Sequence, residues 1–251
     1  MTEPVFPFQV KELGAPRLGL IALQSDESIE GDMRRLMPRD VELMVSRVVS
    51  DEDVTSETLA AMEGYLTTAA SLFPRGVRFK AVGYGCTSGT AQIGPDQVAE
   101  KVMAGTDVAT VTQPLSALVA ACEALGLRKL TMLSPYVAEV SGRLRDALQA
   151  GGIETPVFGS FNVGSEAIVV RIDAPSIMAA SIELMRGADT SVDGLFISCT
   201  NLRTLDIIDP LEDALGVPVL TSNQVLAWHM MHVAGLRASS SAPGRLFKDR
   251  N

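Results

Sequence analysis

Short apolar stretches alternate with longer segments of helical periodicity along most of the chain. In residues 56–72, for example, apolar residues recur every three or four positions, which predicts a helix with one buried face. Strands are predicted over 17–23, 41–49, 79–84, 129–134, 156–161, 194–198 and 218–221, and helices over 28–37, 56–72, 94–105, 114–125, 137–150, 175–186 and 223–234. This alternation predicts an α/β fold of parallel sheets flanked by helices, with ligands bound beyond the carboxyl ends of the strands.

The pattern contains a weak internal repeat. LIALQSD at 20–26 resembles LTMLSPY at 130–136, and GYGCTSGT at 83–90 resembles FISCTNLRT at 196–204. The two offsets nearly agree, which indicates two copies of one unit. We therefore expect two similar lobes related by a pseudo-two-fold axis, with the active site at the lobe interface. The predicted division is lobe 1 at 17–110 plus 218–238, lobe 2 at 111–217, an N-terminal arm at 1–16 and a loose tail at 239–251.

Composition narrows the function classes. The 251 residues carry a formal net charge of −9, which argues against nucleic acid or an anionic membrane as a partner. No basic region followed by an apolar run begins the chain, and no apolar stretch is long enough to span a bilayer. Three widely spaced cysteines favour a reducing cytoplasm as the location of the protein. The cysteines and the only two histidines do not have the spacing of metal ligands, so we expect no metal site.

Two cysteines stand at the ends of predicted strands. Cys86 precedes Thr87, Ser88, Gly89 and Thr90, a turn whose N–H groups and hydroxyls could hold a carboxylate oxygen and lower the pKa of the thiol. Cys199 precedes the similar Thr200 and Asn201. Both could instead be buried core cysteines, but two in matching motifs favour a catalytic role. Cys122, at helical spacing with leucines, is predicted to be core packing.

Paired thiols support two kinds of chemistry. A thiolate on one side of a substrate could remove an α-proton while a thiol on the other side returns one, which is racemisation. Alternatively, one thiolate could add to a carbon–carbon double bond, allow rotation, and leave. His229 and His232 fall on the last predicted helix, away from both motifs, and are expected to pack or face solvent. Neither scheme requires a cofactor.

At these residues the sequence resembles the aspartate/glutamate racemase superfamily, and within it the branch that contains maleate cis–trans isomerases and arylmalonate decarboxylases. The resemblance extends from about Gly19 to Ala234. It rests on GLIALQSDESIE, GYGCTSGT, LSPY, FISCTNLRT and PVLTSNQVLAWH in that order. It implies two α/β lobes, no cofactor, and catalytic cysteines that face each other at the lobe interface.

The resemblance also implies roles for individual residues. Cys86 and Cys199 match the catalytic cysteines, whereas the decarboxylases carry a small residue at the first position. Tyr136 matches a tyrosine that hydrogen-bonds a carboxylate, although it could be a surface residue after a turn proline. The residues that match binders of substrate oxygens are Thr87, Ser88 and Thr200, with Asn162 as a weaker match to a substrate-binding asparagine.

Asp26 departs from the isomerase pattern. It stands where maleate isomerases usually carry an asparagine, and an aspartate there would repel a substrate carboxylate but pair with an ammonium group. It could equally cap the helix that follows. A similar departure is found in racemase-like proteins encoded with ectoine-degradation enzymes, whose substrate would be a diaminobutyrate or its N-acetyl form.

Three functions follow from these residues. The first is a racemase acting at the α-carbon of a small amino acid or amino-dicarboxylate, the second a maleate-type isomerase, and the third a small-carboxylate binding protein without turnover.

The N-terminal arm carries Phe6 and Phe8 outside any predicted element. We expect it to cover a neighbouring subunit, which predicts a homo-oligomer.

Overall fold

The computed structural model of the protein describes residues 3–11, 14–188, 191–239 and 241–248, and within them the chain forms two parallel sheets. The first sheet contains β1 (Arg17–Leu23), β2 (Glu42–Val48), β3 (Ala81–Gly85) and β4 (Val111–Thr112), and the second contains β5 (Lys129–Tyr136), β6 (Glu154–Val163), β7 (Gly194–Ile197) and β8 (Val219–Thr221). The helices are α1 (Ile29–Leu36), α2 (Ser56–Ala61), α3 (Glu63–Ser71), α4 (Thr87–Ile93), α5 (Pro95–Gly105), α6 (Pro114–Leu125), α7 (Ala138–Ala150), α8 (Glu166–Val169), α9 (Ala174–Arg186), α10 (Ile208–Leu215), α11 (Ser222–Val233) and α12 (Arg245–Lys248).

The two sheets share one topology. Their strand orders are β2-β1-β3-β4 and β6-β5-β7-β8, so each places its first strand between its second and third. All the pairings between these strands are parallel. The predicted α/β class with parallel sheets flanked by helices is therefore confirmed, and the matching strand order supports two copies of one unit.

The central strands are buried because their sequences are apolar throughout. Every residue of β3 and β7 is buried, as is every residue of β1 after Arg17. Strands covered by helices on both faces need no polar alternation. Their carboxyl ends lie at one edge of each sheet, and this arrangement brings the segments after β1, β3, β5 and β7 to the site.

The sheets divide the chain differently from the predicted lobes. The short strand β4 pairs with β3, so the first sheet extends past residue 110, and β8 pairs with β7 in the second sheet, although 218–221 was predicted in lobe 1. The helix that follows β8 nevertheless packs on the first sheet. At Gly83 of β3 an added Cβ would lie 2.5 Å from Met230 Sδ of α11, so a larger residue would require the Met230 side chain to move.

Three local features differ from the sequence predictions. The helix predicted over 56–72 is interrupted at Met62, between α2 and α3. The segment after Cys86, predicted as a turn, is helix α4. The tail predicted to be loose instead docks, because Glu212 accepts the Arg245 N–H and Leu246 is buried. No helix in the described ranges is long and apolar enough to cross a membrane.

Candidate active site

Both predicted cysteines lie at strand ends and are almost completely buried. Cys86 follows β3 and is the N-cap of α4, where its Sγ accepts the N–H of Gly89 at 3.1 Å. Cys199 follows β7 by one residue, and its Sγ accepts the N–H of Asn201 at 3.2 Å. The exposed fractions of the two residues are 4% and 3%. Each sulfur therefore accepts a hydrogen bond from a backbone N–H two or three residues further along, in matching positions of the two lobes.

The backbone at Cys199 is strained. Its φ angle is 107°, in a region that residues with a Cβ rarely adopt, and such a conformation costs on the order of 1–3 kcal/mol. The Cys199 N–H donates to Ser222 Oγ at 3.0 Å, which holds the residue in place. Strain maintained by surrounding contacts is common where a side chain has to be aimed at a substrate.

Hydrogen bonds between the lobes bring the two cysteine segments together. Thr87 Oγ1 donates to Ser222 Oγ at 2.8 Å, and Thr200 Oγ1 donates to the Gly85 carbonyl at 3.2 Å. The Thr200 carbonyl in turn accepts from Ser28 Oγ at 2.6 Å and from Asn223 Nδ2 at 2.7 Å. The two cysteine segments, predicted from the sequence to face each other, thus share one buried polar network.

Tyr136 lies at the end of β5, inside this network and not on the surface. Its hydroxyl donates to Glu166 Oε1 at 2.6 Å and lies 3.0 Å from Cys199 Sγ. Glu166 Oε2 accepts from Asn201 Nδ2 at 2.8 Å. Glu166, which begins α8, was not among the predicted site residues, because no strand-end motif or local pattern marks it.

Asp26 lies in the same site. Its Oδ1 accepts the N–H groups of Ser28 and Ile29, both at 2.8 Å, so it does cap the start of the following segment. Its Oδ2 is buried and accepts no hydrogen bond of good geometry from the described residues. Burial raises the pKa of Asp26 to about 6, although these N–H groups and the Thr200 hydroxyl lower it. One oxygen of Asp26 therefore caps the following segment, as one interpretation expected, and the pairing of the other oxygen with an ammonium group stays a prediction.

Burial controls the ionisation of the thiols. It raises the pKa of Cys86 to about 12, and the nearby N–H of Gly89 offsets only part of this effect. Burial, and then the charge of Glu166, raise the pKa of Cys199 well above its ordinary range. The backbone donors of the turns do lower the thiol pKa values, as predicted, but desolvation outweighs them and the net shift of each pKa is upward. A thiolate in this site needs a proton acceptor nearby.

The remaining predicted residues divide into two groups. Ser88 is buried on the first turn of α4, close to the cysteine that precedes it. Asn162 is exposed near the end of β6, with φ 56°, and its N–H donates to Ser160 Oγ. Because its side chain is exposed, Asn162 lies outside the buried cluster, which instead contains Asn201 and Glu166.

Two loops, one from each lobe, are joined by backbone hydrogen bonds beside Glu166. The Val54 N–H donates to the Gly164 carbonyl at 2.8 Å, and the Glu166 N–H donates to the Glu52 carbonyl at 2.9 Å. Residues 52–54 come from the first lobe and 164–166 from the second. This contact closes the side of the site at which Glu166 lies.

In the part of the chain that the structure describes, no group of three or more His, Cys, Asp or Glu side chains is arranged to hold a metal ion.

The two-lobed α/β fold and the relatives below place the protein in the class of cysteine-based isomerases and decarboxylases. The family described as arylmalonate decarboxylase matches residues 95–247 of the chain. The chain belongs to this family. The resemblance inferred from the five sequence motifs is thereby confirmed at the level of the branch.

Individual relatives agree with this assignment. An arylmalonate decarboxylase of Bordetella bronchiseptica is 30% identical over 127 residues, so the match spans 50% of this chain and about half, 52%, of the relative. A maleate isomerase of Nocardia farcinica (strain IFM 10152) is 26% identical over 252 residues, covering 94% of this chain and 97% of the relative.

Solved structures show the same fold. A liganded double mutant of arylmalonate decarboxylase superposes with a TM-score of 0.83 at 23% identity, covering 94% of this chain and 100% of that one. A mutant of the Nocardia farcinica maleate cis–trans isomerase with a covalently bound succinylcysteine intermediate gives a TM-score of 0.80 at 23% identity, covering 95% and 100%.

Proposed function

We propose that the protein is a cofactor-independent racemase in which Cys86 and Cys199 move a proton at the α-carbon of a small amino acid. The observation that carries this proposal is Asp26, a buried carboxylate beside both thiols with one oxygen available to a ligand. A substrate ammonium would pair with that oxygen and stabilise the ionised form of Asp26.

In this proposal the two thiols act from opposite sides of the substrate. The thiolate of one cysteine removes the α-proton, and the thiol of the other protonates the planar carbanion on its far face. Ser88 and the first N–H groups of α4 hold the substrate carboxylate, and the Thr87 and Thr200 hydroxyls join them as they turn from Ser222 Oγ and the Gly85 carbonyl to the substrate. Tyr136 completes the carboxylate site as it exchanges its present partners for a substrate oxygen.

The charge of the site favours an amino acid over a dicarboxylate without an amino group. Asp26 and Glu166 are both buried, with exposed fractions of 2% and 5%. Each of these carboxylates, when ionised, repels a further negative charge that enters the buried site. An ammonium group reverses the sign of that interaction at Asp26, whereas maleate would add two negative charges.

Chiral chromatography tests this proposal directly. The protein is incubated with single enantiomers of a panel of small amino acids and amino-dicarboxylates, and the appearance of the opposite enantiomer is measured. We expect racemisation that Cys86→Ser and Cys199→Ser each abolish. Cys122→Ala removes a fully buried thiol outside the site and serves as the matched control that retains activity. Racemisation that survives in the Cys86→Ser/Cys199→Ser double variant would contradict the proposal.

A second candidate, maleate-type cis–trans isomerisation, is supported by the nearly full-length match to the Nocardia farcinica maleate isomerase. In this reaction one thiolate adds to the double bond of the substrate, and rotation precedes elimination. Incubation with maleate followed by proton NMR would detect fumarate, and mass spectrometry would detect a succinyl adduct on Cys86 or Cys199. Both products together, with no racemisation of any amino acid, would favour this candidate.

The N-terminal arm supports a proposal about assembly. Phe6 and Phe8 have exposed fractions of 77% and 85%, and Val5 and Val10 are still more exposed. Large apolar side chains held in water favour association. We propose that the arm packs on a second copy of the chain to form a homo-oligomer. Light scattering should show a multiple of the chain mass that the Phe6→Glu/Phe8→Glu variant reduces to a monomer.

The state of the cysteines indicates the cellular compartment in which the protein works. The three cysteines are buried free thiols, which a reducing compartment preserves. We therefore propose that the protein works in the cytoplasm. Fractionation of the source cells, with detection by antibody, should recover the protein with cytoplasmic markers.

A further inference from the structure

Glu166, Tyr136 and Cys199 form a continuous hydrogen-bonded chain. The Tyr136 oxygen lies 2.6 Å from Glu166 Oε1 and 3.0 Å from Cys199 Sγ. A tyrosine hydroxyl carries one hydrogen, which it can donate to only one of these neighbours. The other contact is a hydrogen bond only if that neighbour supplies a proton, either from a carboxylic acid or from a thiol. The three groups therefore share two protons.

The two protons can be arranged in two ways. In the first, Cys199 is a thiol that donates to Tyr136, and Tyr136 donates to the Glu166 carboxylate. In the second, Glu166 is a carboxylic acid that donates to Tyr136, and Tyr136 donates to the Cys199 thiolate. The total charge is the same in both, so the exchange creates no additional buried charge. Burial also raises the pKa of Glu166, which makes its carboxylate a better proton acceptor.

We propose that Glu166 accepts the proton of Cys199 through the Tyr136 hydroxyl and so generates the thiolate that the proposed reaction needs. The S–H bond of Cys199 breaks as its proton moves to the Tyr136 oxygen, and the Tyr136 proton moves to Glu166 Oε1. The electron pair remains on the sulfur. Because Glu166 acts through Tyr136, it is a positioning residue. This inference rests on the proposed role of Cys199 in proton transfer.

The first lobe contains a similar arrangement without an acceptor. Tyr84 lies beside Cys86, and its hydroxyl donates to Met62 Sδ at 3.6 Å. A thioether cannot take up a proton at physiological pH. Each cysteine thus has a tyrosine neighbour, but only the tyrosine of the second lobe is backed by a carboxylate. The two thiols are therefore inequivalent, and Cys199 is the resting base.

Several charged or titratable groups surround this chain and act on its ionisation. Asp26 and Cys86 face the site from the first lobe, and the backbone of Glu52 contacts Glu166. Asp51 and Asp53 line the same side of the site as Glu166. Their negative charges oppose the appearance of a further free anion. They do not oppose the internal exchange, because it leaves the total charge unchanged.

Thiolate reactivity tests the proposal without any need for turnover. Iodoacetamide alkylates thiolates, and peptide mass spectrometry gives the rates at Cys199 and Cys86 in one sample, so Cys86 corrects for access to the site. We expect Glu166→Gln to lower the Cys199:Cys86 rate ratio at neutral pH by about tenfold or more, since tenfold in thiolate fraction corresponds to one pKa unit. Tyr136→Phe should lower it similarly.

The matched control is Glu212→Gln, which neutralises another carboxylate with an exposed fraction of 5%, on α10 and away from the thiols. It should leave the ratio unchanged. A ratio that stays the same or rises in Glu166→Gln, or one that falls only because Cys86 reacts faster, would overturn the proposal, because loss of the Glu166 charge alone makes both thiols easier to ionise. If Glu166→Gln does not fold, Glu166→Asp is used instead, because it keeps the charge but withdraws the carboxylate from Tyr136; the ratio should fall, and an unchanged ratio would overturn the proposal. If the wild-type protein racemises no amino acid but Glu166→Gln still lowers the Cys199:Cys86 rate ratio, the proposed function is overturned and this inference stands.

Discussion

Thr87 and Ser222 are joined by a 2.8 Å hydrogen bond that connects the two cysteine segments of the protein. Thr87 follows Cys86 in the first lobe, and Ser222 Oγ also accepts the N–H of Cys199. One buried hydroxyl therefore aligns the segment that carries each thiol. The alignment of the two cysteines depends on contacts between elements that are more than a hundred residues apart in the chain.

Ser222→Ala should destabilise the protein and reduce its activity. It leaves the Thr87 hydroxyl and the strained Cys199 N–H without their acceptor, and a buried group left unsatisfied costs about 1–3 kcal/mol. Urea unfolding measures the loss. Ser181→Ala is the control, because the Ser181 hydroxyl is buried without a partner among the described residues and its removal should be neutral or stabilising. Equal losses in both variants would contradict the role given to Ser222.

Asp26→Asn should stabilise the protein at neutral pH while it impairs catalysis. Folding raises the pKa of Asp26 from 3.8 to about 6. Below pH 3.8 the carboxyl is protonated in both states and contributes nothing. Between pH 3.8 and pH 6 the carboxyl ionises more readily in the unfolded state than in the folded state, which lowers the free energy of unfolding. This loss of stability is complete above pH 6 and amounts to about 3 kcal/mol.

The variant removes this penalty, so its advantage over the wild type in the free energy of unfolding should grow from pH 4 to pH 7. Racemisation should fall on the order of a hundredfold, because the ammonium partner is lost. If the stability advantage of Asp26→Asn over the wild type is smaller at pH 7 than at pH 4, this account of Asp26 is refuted.

Gly89→Ala should displace Cys86. A Cβ on Gly89 would lie 2.8 Å from the Cys86 Sγ, and equally close to Met62 Cε and the Tyr84 hydroxyl. We expect a loss of activity with little gain in stability. Gly142→Ala is the matched helical control, since a Cβ there meets no atom within 4 Å, and it should stabilise by about 1 kcal/mol. Full activity in Gly89→Ala would show that Cys86 tolerates movement.

Much of the fold could be predicted from the sequence because its periodicity is strong. Helix α6 has the predicted bounds, 114–125, with Pro114 in its first turn and Gly126 in the left-handed conformation after it. Helix α4 was missed because its Thr-Ser-Gly-Thr composition is typical of a turn. The two-residue strand β4 is too short to show any alternation.

The candidate site could be predicted only where local motifs mark it. Both cysteines follow apolar strands, and the structure brings them together with Thr87, Thr200, Tyr136 and Asp26. Glu166 was missed because its position depends on the return of the chain after β6, which no local pattern reveals. Asn162, which matched the substrate-binding asparagine of the family only weakly, lies four positions earlier and is exposed.

Proton NMR in deuterium oxide tests the central proposal most directly. The protein is incubated with each amino acid of the panel, and the α-proton signal is followed over time. The account predicts that one substrate loses this signal as solvent deuterium is incorporated, that Cys199→Ser abolishes the loss, and that Cys122→Ala does not. An α-proton signal that persists for every amino acid, while maleate is converted to fumarate, would contradict racemisation and make the protein a cis–trans isomerase.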